Sequence, residues 1–191
     1  MDEKELIQNL KSGSSFAFNA LVTEYQEKVF NTCYGFLRNR EDAEDTAQEV
    51  FIEVYFSIAE FRHDSKLKTW IYRIAVNKSL DHIRLRKRKK RFTRFEQFIG
   101  LGHKDVQNLS SAGSDPQSCI ENNECAKMLL IAIEKLPVSQ KVAFILHKYE
   151  DLSYAEISLV MDVSLPAVES LLHRAKNNLK NKLHKYYLGS L

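Results

Sequence analysis

The sequence has few of the residues that interrupt helices or join strands. Six glycines and three prolines in 191 residues are too few for the many tight turns of β-sandwiches and hairpins, so helices are expected throughout. The three cysteines are odd in number, and none of them stands in C-x-x-C spacing. They therefore indicate neither a disulfide framework nor a zinc site.

Long apolar runs are absent as well. The longest, at 128–133, is far too short to cross a bilayer, and the N-terminal MDEKELIQNL is charged where a signal peptide is apolar. We therefore predict a cytoplasmic protein without membrane insertion. The sequence also shows no catalytic triad, phosphate-binding loop or histidine ligand spacing. We accordingly predict no enzymatic activity, no metal, no cofactor and no small-molecule substrate.

Charge is unevenly distributed along the chain. The formal net charge is only +3, but acidic residues crowd positions 41–53 and basic residues positions 84–94. Between Arg84 and Arg91, only Leu85 is neither lysine nor arginine. Such a run repels itself unless a polyanion neutralises it. Two surfaces of opposite sign predict two kinds of partner.

Aromatic side chains precede the basic run. Phe61, Trp70 and Tyr72 are flat enough to stack on unpaired bases, which is how proteins hold single strands. Together with the basic run they predict a nucleic-acid surface over residues 61–91, whose cationic end binds phosphates without reading sequence. The alternative is a solvated helix end with Trp70 in the core.

Apolar residues at three- and four-residue steps predict a helical bundle over residues 5–91. Asn39, with Asp42 three positions further on, is the expected N-cap of its second long helix. A short helix is predicted at 2–11. The first long helix begins at Ser14 or Ser15, and the second begins after Asn39. The third long helix follows a loop at 62–66 and lies at about 67–90. The apolar stripes of the first two long helices are Phe16, Leu21, Val22, Tyr25, Val29, Cys33 and Phe36, and Ala43, Ala47, Val50, Phe51, Val54 and Tyr55.

Helical periodicity fades after Phe92. Residues 93–117 hold three of the six glycines, several serines and Pro116, so we predict a linker there. Because this linker carries Phe95 and Phe98, we expect it to dock, either on a partner protein or as an extension of the first bundle's core.

The most specific motif lies at residues 152–183. Ser153 and Glu156 form a capping box before one short helix, and Ser164, with Pro166 in the first turn, begins a second. Two helices joined by so tight a junction predict a helix-turn-helix; a plain helical hairpin is the alternative. The exposed face of the second helix offers side chains that reach base edges and phosphates, namely Ala167, Glu169, Ser170, His173, Arg174, Lys176 and Asn177.

In combination these patterns resemble the extracytoplasmic-function (ECF) sigma factors, small bacterial transcription initiation factors related to sigma-70. Four stretches carry the resemblance in family order: DAEDTAQEVF at 42–51, FRHDSKLKTWIYRIAVN at 61–77, the separator at 93–117, and LSYAEI with VSLPAVESLLHRAK within 152–176. The resemblance implies an all-α fold of two helical domains joined by a flexible linker. These are a sigma region 2 domain at 1–92, the linker at 93–117, and a sigma region 4 helix-turn-helix domain at 118–191.

The resemblance implies a factor that binds core RNA polymerase and directs it to promoters, helping to melt the minus-ten element. It would contact the clamp of the largest subunit and the flap of the second, leave catalysis to the polymerase, and have an anti-sigma partner. Two other classes of protein account for fewer of these sequence features. An ordinary helix-turn-helix regulator would need only residues 119–187, and an adaptor binding acidic partners through 84–91 would leave the helix caps unexplained.

The resemblance also assigns roles to particular residues. Asn77 matches a position facing the upstream edge of the minus-ten element, where an amide can pair with an adenine edge. Residues 61–66 resemble the loop that captures a flipped base. The implied polymerase-binding residues are Asp45, Gln48, Glu49 and Phe51; the minus-ten residues are Phe61, Arg62, Asp64, Lys66, Lys68, Thr69, Trp70, Arg73, Asn77, Lys78 and Arg84; and the minus-thirty-five residues are Ser164, Pro166, Ala167, Glu169, Ser170, His173, Arg174 and Lys176.

Three positions depart from the related sequences. Many family members carry arginine where this chain has Glu169 and Leu171, which implies weaker phosphate contacts or a different base preference. A carboxylate at position 169 can accept a hydrogen bond from cytosine N4. Ile71 stands where primary sigma factors have a second tryptophan, which implies weaker melting and a stricter promoter requirement.

Overall fold

The computed structural model describes the backbone of residues 2–98 and 120–188, and the side chains of residues 2–89 and 126–184. Within these residues every regular element is a helix, as expected for an all-α protein. The helices are α1 (Glu3–Lys11), α2 (Ser15–Leu37), α3 (Arg40–Ser57), a 3₁₀ turn (Ile58–Glu60), α4 (Leu67–Phe98), α5 (Ile120–Glu134), α6 (Val138–Lys148), α7 (Tyr154–Met161) and α8 (Leu165–Leu188).

The N-terminal helices begin where short polar side chains can replace missing backbone partners. The Ser14 hydroxyl accepts a hydrogen bond from the Ala17 N–H, and the Asn39 side chain accepts one from the Asp42 N–H at 2.8 Å. Each bond satisfies one of the free donors in the first turn of a helix. Arg38, in the left-handed region at φ 53°, ends α2, and α3 begins two residues later. The predicted starts of both long helices are confirmed.

Helix α4 is longer than its sequence pattern predicts. It begins at Leu67 as expected but continues to Phe98 instead of ending near residue 90. Residues 93–98 of the predicted linker are therefore helical, because no glycine or proline interrupts the chain before Gly100. The remaining part of the predicted linker, with Pro116, lies outside the described residues.

The chain divides into two compact units. The N-terminal unit comprises Met1–Phe61 and Ile74–Asp115, and the C-terminal unit comprises Arg62–Arg73 and Pro116–Leu191. The segment 62–73, which contains the first turns of α4, belongs to the same compact unit as the helix-turn-helix.

In the N-terminal unit, α1 packs on α2 and α2 packs on α3. The fully buried residues along this contact include Leu21, Val29 and Cys33 of α2 and Val50 and Val54 of α3. Cys33 is thus a buried core residue.

Two aromatic residues assigned to these stripes are not buried. Phe16 is 78% exposed and Tyr55 is 51% exposed. Tyr55 lies one residue, about 100° of helix rotation, beyond the buried Val54, and Phe16 lies in the first turn of α2. Their placement in the core was therefore wrong.

In the C-terminal unit, α5, α6 and α7 all pack on α8. Ile133 of α5 and Leu136, two residues after that helix, meet Ala175 and Leu179 of α8 in one buried cluster. Toward the beginning of α8, Val168 and Leu172 are buried, as are Ile157 and Val160 of α7. This core fixes α8 along one side and leaves its opposite side exposed.

Candidate nucleic-acid and protein interfaces

The outward face of α3 presents the polar residues predicted to bind polymerase. Asp45, Gln48 and Glu49 are exposed, while Ala47 and Val50 between and beyond them are buried. Phe51 is half-buried beside a groove of about 400 Å³ between α2 and α3. The residues lining this groove are Val22, Gln26, Glu27, Phe30, Glu44, Ala47, Gln48 and Phe51. The helix therefore presents hydrogen-bonding groups next to an apolar recess.

The same face becomes apolar toward the end of α3. Ile52 is 57% exposed and Phe56 75% exposed. The Tyr55 ring contacts both the Phe18 ring, with centroids 5.2 Å apart, and the Phe56 ring, at 5.5 Å. An exposed cluster of this kind is typical of a protein contact surface. The sequence did contain a signal for it, because residues 48, 52 and 56 follow one another at steps of four along one face.

The basic helix α4 is partly neutralised by α3. Arg86 Nη1 lies 3.4 Å from Asp42 Oδ2, and His82 Nε2 lies 3.8 Å from Asp42 Oδ1. Lys78 Nζ lies 3.1 Å from Glu53 Oε2. The Arg84 guanidinium pairs with Asp81 within α4 itself, at 2.7 Å. Lys78 and Arg84, both predicted minus-ten residues, thus already have carboxylate partners.

The predicted minus-ten residues differ in accessibility. Asn77 is exposed, as are Arg62 and Asp64. Phe61 and Thr69, by contrast, are only 5% and 2% exposed. In this structure, neither of these two side chains presents a surface on which a base could stack or pair.

A backbone hydrogen bond and the burial of aromatic side chains further characterise the predicted minus-ten surface. The Phe61 carbonyl accepts a hydrogen bond from Lys11 Nζ at 2.7 Å, which ties the end of the 3₁₀ turn to α1. Tyr72, predicted to be a stacking residue, is 4% exposed. Trp70 is half-buried. Of the three flat side chains expected at this surface, two are therefore buried because they pack as core residues.

Within the C-terminal unit, residues of the segment 62–73 contact acidic side chains near the beginning of α7. Lys66 Nζ lies 3.1 Å from Glu156 Oε1, and Lys68 Nζ lies 3.7 Å from the same oxygen. The Tyr72 hydroxyl donates a hydrogen bond to Glu150 Oε2 at 2.7 Å. The sequence did not predict these contacts, because nothing in a local pattern pairs residues so far apart in the chain.

Glu156 is held in place by the start of its own helix. The Ser153 hydroxyl accepts from the Glu156 N–H, and the Glu156 carboxylate accepts from the Ser153 N–H, so the predicted capping box is confirmed. Hydrogen bonds from the Ser153 backbone and side chain, together with Lys66 and Lys68, lower the pKa of Glu156 to about 2 against the smaller opposing effect of burial. The carboxylate is therefore ionised at any physiological pH.

Helices α7 and α8 form a helix-turn-helix. Asp162, in the left-handed region at φ 54°, ends α7, and Ser164 immediately precedes α8, where its carbonyl accepts from the Ala167 N–H. The predicted minus-thirty-five residues lie immediately before α8 or in its first half. Those that are exposed are Ser164, Pro166, Glu169, Ser170, His173, Arg174 and Lys176, while Ala167 is partly exposed. This placement is the one required of a helix that enters a major groove.

Hydrogen bonds along α8 orient two of its exposed side chains. Arg174 Nε donates to the Ser170 carbonyl at 3.2 Å, and the His173 Nε2 and Asn177 Nδ2 atoms lie 2.9 Å apart. Among the described side chains, at 2–89 and 126–184, no group of three His, Cys, Asp or Glu residues is arranged to hold a metal ion. Over residues 2–98 and 120–188, no helix is both long and apolar enough to span a bilayer.

Comparison with known proteins identifies the family. Residues 21–89 match the sigma-70 region 2 family, and residues 126–179 match sigma-70 region 4. The chain is 31% identical to the ECF RNA polymerase sigma factor SigW of Bacillus subtilis, over 94% of this chain and 96% of that protein. The chain belongs to the ECF sigma factor family. It is also 30% identical to the ECF RNA polymerase sigma-E factor of Escherichia coli K12, over 96% of this chain and 95% of that one.

Solved structures also share the fold. CnrH, in complex with the cytosolic domain of CnrY, superposes with a TM-score of 0.68 at 20% identity, covering 95% of this chain and 97% of CnrH. RpoE of Bartonella quintana, in complex with the anti-sigma factor NepR, gives 0.65 at 18% identity, covering 87% and 96%. The predicted family and the predicted two-domain helical fold are confirmed. As an ECF sigma factor, the protein is a transcription initiation factor that acts with RNA polymerase at specific promoters.

Proposed function

We propose that this sigma factor divides its work among three surfaces: the outward face of α3, the segment from Phe61 to Arg84, and the beginning of α8. The first would bind core RNA polymerase, the second the minus-ten element, and the third the minus-thirty-five element. The observation that carries the proposal is on α3, where Asp45, Gln48 and Glu49 project together into solvent above a buried apolar stripe.

The α3 surface would bind the clamp of the largest polymerase subunit. Its acidic and amide groups would steer a basic partner and fix its register, with Phe51 in the adjoining groove. We extend the surface to Ile52, Tyr55 and Phe56, because these exposed apolar side chains continue the same helix face. Exclusion of water by such side chains supplies much of the affinity of a protein interface.

The minus-ten surface would combine exposed and currently buried groups. Asn77 is accessible for an adenine edge, and Lys87 and Arg88, both exposed, would bind phosphates. Phe61 and Thr69 would have to be uncovered before they could contact a base. The remaining proposed minus-ten residues are Arg62, Asp64, Lys66, Lys68, Trp70, Arg73, Lys78 and Arg84.

The α8 surface would read the minus-thirty-five element, while the C-terminal unit contacts the flap of the second polymerase subunit. Glu169 is exposed on the face of α8 predicted to read bases, so its carboxylate can accept from cytosine N4 and shift base preference. Arg174 and Lys176 would supply phosphate contacts. The other proposed residues here are Ser164, Pro166, Ala167, Ser170 and His173.

We further propose that the factor works in the cytoplasm, contributes no catalysis and needs no cofactor. An anti-sigma protein is proposed as its inhibitor, since two sigma factors of the same fold were solved with such a partner or with the cytosolic domain of another protein. An ordinary helix-turn-helix regulator remains the alternative function. It would leave the sigma-70 region 2 match over residues 21–89 without a role.

A charge reversal tests the polymerase surface. We expect Glu49→Lys to abolish co-purification with core polymerase, because it places a cation where a basic partner binds. Since Glu49 is exposed, the helical circular dichroism spectrum should not change. The matched control is Glu5→Lys, the same reversal on an exposed position of α1. Retention of polymerase by Glu49→Lys would remove α3 from the proposal.

A further inference from the structure

The exposed face of α8 carries an asparagine that the proposed minus-thirty-five residues do not include. Asn177 is exposed, and its Nδ2 atom lies 2.9 Å from the Nε2 atom of His173, one helical turn earlier. We propose that Asn177 reads an adenine of the minus-thirty-five element and that His173 orients the Asn177 amide for this contact. The inference rests on the proposed minus-thirty-five role of α8.

Asn177 lies on the side of α8 that faces away from the core. Each four-residue step turns an α-helix by about 40° beyond a full turn, so Glu169, His173 and Asn177 follow one another along one stripe. All three are exposed. The buried residues on the other side of the helix are Val168, Leu172, Ala175 and Leu179. A groove that receives Glu169 and His173 therefore also faces Asn177.

The spacing of the exposed residues suits a helix that lies along the major groove. Such a helix presents positions i, i+3, i+4 and i+7 to base edges. The residues of α8 with this spacing are Ser170, His173, Arg174 and Asn177. At a rise of about 1.5 Å per residue, Asn177 lies about 10 Å along the axis from Ser170, which corresponds to about three base pairs. Asn177 therefore extends the sequence read by α8 at its far end.

The contact with His173 fixes the orientation of the Asn177 amide. The Nδ2 group of an asparagine donates and does not accept, so it donates to His173 Nε2, and the imidazole carries its proton on Nδ1. With this tautomer, a flipped amide would set its Oδ1 against a second acceptor. The hydrogen bond also restricts the rotation of an exposed side chain, so less entropy remains to be lost when Asn177 binds a base. His173 is thus a positioning residue for Asn177.

The oriented amide keeps the groups that adenine requires. His173 uses one Nδ2 hydrogen, and the second hydrogen and Oδ1 are left for DNA because Asn177 is exposed. In the major groove adenine presents the N6 amino group as donor and N7 as acceptor, and an asparagine amide pairs with both at once. Guanine presents two acceptors there, N7 and O6, and one of them would face Oδ1. The pair therefore favours adenine over guanine.

The test uses the holoenzyme, assembled from the full-length protein and bacterial core polymerase. Its template is one responsive promoter in which the minus-thirty-five region is randomised, and the transcribed sequences are counted. We expect the wild type to select adenine at one position about tenfold over guanine, which is within the range of one bidentate contact. Asn177→Ala should lose the preference at that position alone. The matched control is Asn181→Ala, an exposed asparagine four residues further along α8, which should retain it.

Two further positions of the test separate reading from orientation. Asn177→Asp replaces the Nδ2 donor by an acceptor, so the preference at the same position should shift from adenine to cytosine, whose N4 donates to a carboxylate. His173→Ala should reduce the adenine preference about twofold, the effect of one exposed side-chain hydrogen bond between positions i and i+4. His173→Gln should retain the preference, because the glutamine oxygen can accept from Asn177 Nδ2.

Three results would count against the inference. An unchanged base preference in Asn177→Ala, or a loss of transcription that is uniform across all sequences, would overturn the reading of adenine, because the side chain would then contact phosphate or no DNA at all. Equal losses of preference in His173→Ala and His173→Gln would overturn the orienting role of His173. If the wild type selected no base anywhere in the minus-thirty-five region, the proposed function of α8 would fail, and the adenine contact with it.

Discussion

The capping box of α7 begins that helix and also holds the Glu156 carboxylate that pairs with Lys66 and Lys68. Removing the Ser153 hydroxyl therefore tests the role of the capping box. Ser153→Ala deletes the acceptor of the Glu156 N–H, 3.2 Å away, and a donor to Glu156 Oε2 at 2.8 Å. Loss of an N-cap hydroxyl costs about 1 kcal/mol. The free energy of opening α7 should fall by that amount at pH 7, which corresponds to about fivefold faster amide exchange.

The acid response of the same helix should also change. Because the pKa of Glu156 is lowered to about 2 in the folded protein from its usual 4.5, its charge stabilises the fold above pH 4.5, and this stabilisation is lost as pH falls toward 2. The Ser153 N–H, the largest cause of the shift, survives in Ser153→Ala, whereas the hydroxyl does not. The pKa of Glu156 should therefore rise only part of the way, so acid destabilises the variant at a higher pH and by less.

Hydrogen exchange of peptides covering α7, measured by mass spectrometry between pH 7 and 2.5 and corrected for intrinsic rates, gives both quantities. The control is Ser158→Ala, which removes a hydroxyl that donates to the Ala155 carbonyl within the same helix. Such back-bonding does not cap a helix, so this control should leave exchange nearly unchanged or slow it. Identical exchange in Ser153→Ala and Ser158→Ala would refute the role of the capping box.

Three further changes test other parts of the account. Asn77→Ala should impair open-complex formation, measured by permanganate reactivity of the promoter, more than initial docking; equal losses would make Asn77 a structural residue. Phe56→Ser should weaken core polymerase binding about tenfold in a competition assay. The matched control is Phe16→Ser, the same substitution on α2. Unchanged binding in Phe56→Ser would confine the polymerase-binding surface to the polar part of α3. Leu172→Ala, at a position 1% exposed, should destabilise the C-terminal unit by about 3 kcal/mol in urea unfolding, and a loss below about 1 kcal/mol would contradict its place in the core.

Local features of the fold were predictable because they depend on neighbours in sequence. The caps at Ser14, Asn39 and Ser153 each require one polar side chain three residues before its partner N–H. The helix-turn-helix followed from the same reasoning, since Ser153 and Ser164 mark the starts of both helices. Apolar spacing identified the buried side of α8 for the same reason.

Most of the incorrect predictions concern the burial of side chains, which depends on packing between residues that are distant in the sequence. Tyr55 and Phe16 are aromatic and lie close to the apolar stripes, but the α2–α3 contact does not bury them. Only the structure shows their exposure. Phe61 and Tyr72 were assigned to a stacking surface by their chemistry, yet both are buried. The length of α4 was underestimated because helical periodicity fades after Phe92, although no glycine or proline interrupts the chain up to Phe98.

The candidate site was only partly predictable. The exposed positions of α3 and α8 followed from the unburied sides of periodic helices. The partners of Lys66, Lys68 and Tyr72 could not be predicted, because contacts between residues far apart in the chain have no local sequence pattern. The apolar end of α3 could have been found from the four-residue steps between Gln48, Ile52 and Phe56.

The central claim is that this protein directs core RNA polymerase to promoters of its own. The most direct measurement combines the purified protein with bacterial core polymerase on a genomic promoter library and maps new transcript starts. We expect transcript starts that require both components, share a minus-ten and a minus-thirty-five element, and disappear with Glu49→Lys but not with Glu5→Lys. Tight duplex binding by the protein alone, with no polymerase-dependent starts, would contradict it.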